Sequence, residues 1–143
     1  MNYREFLEQV QSRGCFATAD ETQSVVANVL RAVAEVLPQG QVDGLTAQLP
    51  PELMVYLRGA HQEPDPFFDS QLFLGWVVSS IDATGARDRT EEGLDLYAAY
   101  SGEEAIRRCH CVFAVLKSLL EPRQQDALIA YLPDEVSDWF VQA

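Results

Sequence analysis

A nine-residue pattern, Leu45-Thr46-Ala47-Gln48-Leu49-Pro50-Pro51-Glu52-Leu53, returns 83 positions later as Leu128-Ile129-Ala130-Tyr131-Leu132-Pro133-Asp134-Glu135-Val136. Extended in the same register without a gap, residues 18–57 lie over 101–140, with ten identities in forty positions. Self-similarity at a fixed spacing constrains a fold more than any local preference, because two units must present the same faces. The chain therefore reads as a duplicated helical unit.

The repeated stretch has a mechanical meaning. Proline disfavours helical geometry in the residue before it, so Gln48-Leu49 and Tyr131-Leu132 should each end a helix. Proline is also suited to the first position of the next helix, where its missing N–H is not needed. Leu-Pro-x-Glu is then a sharp helix-to-helix corner. Leu49 and Leu132 should turn inward, with Glu52 and Glu135 near a positive helix N-terminus.

The copies also agree on how their long helices begin. Thr18-Ala19-Asp20-Glu21 and Ser101-Gly102-Glu103-Glu104 both fit an S/T-x-x-E capping box. Behind the first come Val26, Val29, Leu30, Val33 and Leu37. Behind the second come Ile106, Cys109, Val112, Phe113, Leu116, Leu119 and Leu120. Steps of three and four mark a core-facing stripe. Long helices are expected over 19–37 and 102–120.

Around them the expected elements follow in order. Residues 2–13 form an amphipathic helix with Tyr3, Phe6, Leu7 and Val10 on one face, closed by Gly14 in a left-handed cap. A short helix covers about 41–48, and another runs from Pro50 to Arg58. Phe73, Leu74 and Val77 repeat Phe6, Leu7 and Val10 at an offset of 67, so a helix opens again at Ser70. The offset then jumps to 83, which places an insertion at about 82–100, with a short helix of its own around 90–100. Pro122 opens a further helix, and the last begins at Pro133. No stretch alternates as a strand does.

The expected architecture is all-α: two pseudo-symmetric repeats of about four helices, packed as one helical bundle, plus an inserted helix in the second repeat. Repeat one spans 2–58, a linker 59–67, and repeat two 68–143, within one domain over 1–143. A chain of this size buries roughly 68% of its unfolded surface.

Charge narrows the partners. The chain carries 22 acidic against 10 basic residues, a net of −12, and Lys117 is its one lysine. Binding to phosphate backbones or anionic lipids rests on clustered cations, so no nucleic acid and no membrane partner is expected. No run of 18 apolar residues occurs. The opening Met1-Asn2-Tyr3-Arg4-Glu5-Phe6 lacks the regions of a signal peptide. Three cysteines make no disulfide framework, and a cytoplasmic location is expected. The charge is spread, −5 over residues 1–66 and −7 over 67–143, and reads as a solvated surface.

Where the copies differ, function is sought. The polar face of the first helix, with Glu5, Glu8, Gln9 and Gln11, is replaced in the second copy by Leu72, Gly75, Trp76 and Val78. Seven of the ten residues from Leu72 to Ile81 are apolar, and a helix apolar all round is buried by something. The insertion offers a helix with Leu94, Tyr97 and Ala98 on one side as an intramolecular cover; otherwise a second copy or another protein covers the helix. Leu72, Trp76, Leu94, Tyr97 and Tyr100 are thus the candidate interaction face.

Catalytic templates fail together. There is no Gly-x-Ser-x-Gly, no phosphate-binding glycine loop and no calcium loop, and the two histidines stand 49 positions apart. Cys109-His110-Cys111 looks most like a metal or redox site, but residues two apart on a helix point roughly 200° from one another. Cys109 shares the apolar stripe and reads as a buried hydrophobe. His61, between Glu63 and Asp65, lies in a proline-rich linker and reads as loop. No catalytic residue, cofactor or metal ligand is assigned.

Tyr3-Arg-Glu-Phe-Leu-Glu-Gln-Val10, the capped long helix, and Gly44-Leu-Thr-Ala-Gln-Leu-Pro-Pro-Glu-Leu53 together resemble the prokaryotic domain of unknown function family number 2267. There, too, a Phe-Leu opening helix and an Ala-Gln-Leu-Pro-x-Glu corner occur twice; Phe73-Leu74 and Ala130-Tyr131-Leu132-Pro133-Asp134-Glu135 supply the second set here. The chain departs from the pattern at Tyr131, in its longer 82–100 insertion and in its apolar 72–81 helix. The resemblance implies a small cytoplasmic all-helical protein of bacterial type and brings no activity with it.

The expected function is a non-catalytic protein–protein interaction or adaptor module, with self-association as one form of it. The alternative is a small-molecule-binding or enzymatic domain with a pocket between the repeats. A polar cluster buried there would favour the pocket, and an apolar, filled interface would favour the adaptor. Redox or metal sensing at Cys109 and Cys111 requires Cys109 to be accessible.

Overall fold

The computed structural model describes the backbone of residues 1–57, 67–82 and 91–143, and the side chains of 1–57, 67–77 and 102–143. Its elements are α1 (Tyr3–Gly14), α2 (Ala19–Val36), α3 (Gln39–Thr46), a 3-10 turn (Pro51–Leu53), α4 (Met54–Leu57), α5 (Ser70–Asp82), α6 (Glu91–Leu119), α7 (Pro122–Tyr131) and α8 (Asp134–Gln142). No strand occurs among the described residues. The protein is all-α, as its apolar spacing requires.

Local chemistry sets most of the ends. Asn2 caps α1 by accepting from the Glu5 N–H at 2.8 Å. At α2 the capping box forms: Thr18 Oγ1 accepts from the Glu21 N–H at 3.0 Å, and Glu21 Oε2 accepts from Ala17 N–H at 3.2 Å. Both corner leucines are buried, Leu49 at 7% and Leu132 at 5% exposure. The corners tie the two halves together as well. Gln48 Oε1 accepts from the Glu121 N–H at 2.9 Å, so the first corner satisfies a donor at the start of α7.

Long helices α2 and α6 form the centre. α1 and α5 each pack on both; α4 packs on α2, and α8 on α6. Phe6 and Val10 of α1, Val25, Val29 and Leu30 of α2, Phe73 and Val77 of α5, and Phe113 and Leu116 of α6 are fully buried. Phe73, Phe113 and Phe140 join α5, α6 and α8 by ring contacts, with centroids 6.3 and 5.3 Å apart. Each such side chain contributes roughly 1.5–3 kcal/mol through burial.

Two expectations are corrected. Gly14 is not the left-handed residue closing α1; Cys15 is, at φ 52°, its N–H bonded back to the helix end. The reason lies in Phe16, whose ring occupies the space a Cβ on Gly14 would fill. Glycine is needed there for close approach, so the turn falls to the next residue. Second, Ser101 does not begin a helix. α6 runs unbroken from Glu91, so the expected insertion helix and the long helix are one element of 29 residues. Glu104, which a capping box would turn back to the backbone, instead binds Arg107 and Arg108. The expected linker, with His61, and residues 83–90 of the insertion lie outside the described residues.

Candidate interaction face

On α5, Phe73 and Val77 turn into the core while Leu72 and Trp76, one turn apart, stay 48% and 39% exposed. Period 3.6 dictates this division: residues that match Phe6 and Val10 face inward, and residues that match Glu5 and Gln9 face out. The outward pair is apolar only in this copy. α4 meets it from the side. Arg31, Glu35, Val55, Tyr56 and Trp76 line a cleft of about 230 Å³, and Val55 is 57% exposed.

Tyr56 is held rigidly at the base of this cleft. Gln23 Nε2 donates to its hydroxyl at 3.2 Å, and the Arg31 guanidinium lies 5.6 Å from its ring centroid. Tyr3 hydrogen-bonds to Tyr56; burial, that bond and the nearby Tyr56 and Glu52 push the Tyr3 phenol well above its ordinary range. A second cleft of about 420 Å³ shares Arg31 and Tyr56 with the first and continues along α2 past Asn28, Ser24 and Asp20. The two make one groove beside α2, apolar at the Trp76 end and polar at the Asp20 end.

Of the residues expected at the face, Leu72 and Trp76 stand on it, while the side chains of Leu94, Tyr97 and Tyr100 lie outside the described residues. Val55 was not among them, although a signal existed. At the offset of 83, exposed Met54-Val55 correspond to Ser137-Asp138, an apolar pair where the other copy is polar. Arg31 and Tyr56 carried no signal, because their pairing depends on how α4 folds back onto α2.

The cysteine cluster is structural. Cys109 is fully buried, and burial, with Cys111 nearby, pushes its thiol well above the usual range. Cys111 is 7% exposed and its thiol is also raised, by burial first. His110 Nε2 is buried with no hydrogen-bond partner. Among the described residues no group of three or more His, Cys, Asp or Glu is placed to hold a metal ion. Nor, among them, is any helix long and apolar enough to cross a membrane.

A buried polar cluster does exist, but it joins helices rather than opening a cavity. Arg108, 4% exposed, donates from Nε to Glu104 Oε1 at 3.0 Å and lies 3.5 Å from Glu21 Oε1. Arg107 Nε binds Glu104 Oε2 at 2.8 Å. Burial alone would raise the Glu104 pKa; the hydrogen bonds and charges of Arg107 and Arg108 outweigh it and hold the carboxyl below its usual range. Phe16 lies under both guanidiniums, at 5.3 and 5.5 Å.

No curated protein matches the chain significantly. The family model described as Uncharacterized conserved protein (DUF2267) matches residues 3–139, and the chain belongs to that family.

Proposed function

We propose that the protein is a non-catalytic interaction module that docks a protein partner on the face built by Val55, Leu72 and Trp76. One observation carries this reading: three large apolar side chains stay exposed beside a preformed cleft, at positions whose counterparts in the repeat register are Asp138, Glu5 and Gln9. Aromatic anchors beside a shaped cleft are the usual centres of binding energy. A second copy of the chain is one candidate occupant. We place the module in the cytoplasm of a prokaryote, as one domain of two units, 2–58 and 68–143, related by pseudo-symmetry.

Equivalent burial supports the two-unit reading. Phe6 and Phe73, Val10 and Val77, Val26 and Cys109, Val33 and Leu116, and Leu57 and Phe140 are matched pairs, all fully buried. The packing matches too: α1 and α5 each bridge the two long helices, and α3 meets α7.

The enzyme or small-molecule alternative needs a pocket between the units. Phe73, Phe113, Val25 and Val29 fill the centre between them, and the cleft at Trp76, which both units line, lies beside exposed Val55 and Trp76; this supports docking over a buried pocket.

Affinity capture from extract of the source cells tests the proposal, with Trp76→Glu, Val55→Glu and, as a distant control, Val141→Glu (56% exposed). A stoichiometric protein kept by the control and lost by both face variants supports it. A partner unaffected by either face variant, or a bound metabolite in place of a protein, overturns it.

A further inference from the structure

We infer that the groove beside α2 takes a basic amphipathic helix from the partner protein. This deepens the interaction reading and rests on it.

Shape selects the secondary structure. The groove runs along α2 from Asp20 to Glu35, about 22 Å at 1.5 Å per residue, the length of about four helical turns. Its described walls are helices, α2 with α4 and α5, and they offer no free strand edge for an extended peptide to extend. Val55 and Trp76 line its apolar end from two different helices, with Leu72 exposed one turn from Trp76, an apolar footing for the stripe of an amphipathic helix.

Charge selects the sign. Asp20 lines the polar end of the groove and Glu35 its apolar end. The one cation lining the described groove is Arg31, stacked over the Tyr56 ring. Of the other described cations, Arg4 is paired with Glu8, Arg107 and Arg108 with Glu104, and Lys117 with the Val141 carbonyl, while Arg13 and Arg123 line neither part of the groove. With a net of −12 behind this rim, a helix flanked by Lys or Arg is drawn in and an acidic one is repelled.

The test uses two dye-labelled synthetic helices with the same leucine stripe, one flanked by lysines and one by glutamates. Each is titrated against the full chain by fluorescence anisotropy at low and physiological salt. The lysine peptide should bind at least about tenfold more tightly than its twin, and the gap should narrow as salt rises. Trp76→Glu and Val55→Glu should each weaken it at least about tenfold with unchanged helical circular dichroism, and Asp20→Asn about threefold. If the glutamate peptide binds equally well and both face variants still abolish binding, the basic partner is overturned and the docking face stands. If the lysine peptide binds regardless of Trp76→Glu and Val55→Glu, the attraction is diffuse and both readings fall. Binding of neither peptide overturns the inference.

Discussion

Arg107 Nη1 donates to the Gly14 carbonyl at 2.6 Å, fastening the end of α1 to α6 across 93 positions of sequence. The contact falls where α1 closes, and the Phe16 ring that fills the space beside the Gly14 Cα also lies under the two guanidiniums. Gly14→Ala drives a methyl into that ring and should destabilise by about 1–3 kcal/mol, as overpacking does. Gly102→Ala, in a helix with open space around it, should be neutral or stabilise by up to about 1 kcal/mol. Urea denaturation of the pair reads the difference directly. Equal effects would remove the close-approach account of Gly14.

Arg108→Ala leaves Glu104 to Arg107 alone and takes the cation from Glu21, in a largely buried site. A loss of about 3 kcal/mol is expected, the scale of removing one partner from a buried ion pair. The pH dependence has a defined sign. The Glu104 pKa is lowered by folding, so its stabilisation is present above the unfolded carboxylate value, about 4.3, and fades as pH falls through the folded value. Glu104→Gln should therefore flatten the acid limb of the stability–pH curve while leaving the neutral-to-alkaline limb in place.

Tyr3 shares the alkaline limb with the buried thiols of Cys109 and Cys111. Its folded pKa lies above its unfolded one, so the stabilisation is complete below about 10 and is lost as pH rises from there toward the folded value. Phenolate absorbance of the native protein should include a late-titrating contribution from Tyr3. Tyr3→Phe should abolish that late phase.

The repeated corners give a matched pair of tests. Leu49→Ala and Leu132→Ala each truncate a buried leucine and should each cost about 2–5 kcal/mol. A large cost in one and none in the other would mean that the corners are not equivalent parts of the core.

Thiol reactivity should divide the cysteines. Cys15 is exposed; Cys109 and Cys111 are buried with raised thiol pKa values. A thiol reagent should label one cysteine in the native protein and three in denaturant. Rapid native labelling of Cys109 would reopen the redox reading.

What could be read from the sequence was whatever obeys local rules. The all-α class, the Leu-Pro corners, the Thr18 cap and the buried Cys109 follow from proline chemistry and helical periodicity, which neighbours rarely override. Gly14 misled because its usual reason, a positive φ, gives way here to the Phe16 ring, a contact invisible in local pattern. Ser101 misled because a cap motif works only where the preceding backbone is not already helical. At the face, Leu72 and Trp76 stood out through their altered polarity. Val55 could have been found by the same comparison, whereas the Arg31–Tyr56 stack needs three-dimensional folding. Gln48 explains one departure in retrospect: its amide reaches α7, while Tyr131 at the matching place is 42% exposed.

Arg108 serves Glu21 and Glu104, which occupy the same place in the repeat register, whereas position 25, its own counterpart, is Val. On the two-unit reading, a pair of first units would bring two carboxylates together with no cation from positions 24 and 25, while each second unit carries Arg107 and Arg108 against the single acid Glu104. Neither half can therefore stand in for the other. On that reading the second unit's extra arginine answers the first unit's acid, and the halves are complementary rather than interchangeable.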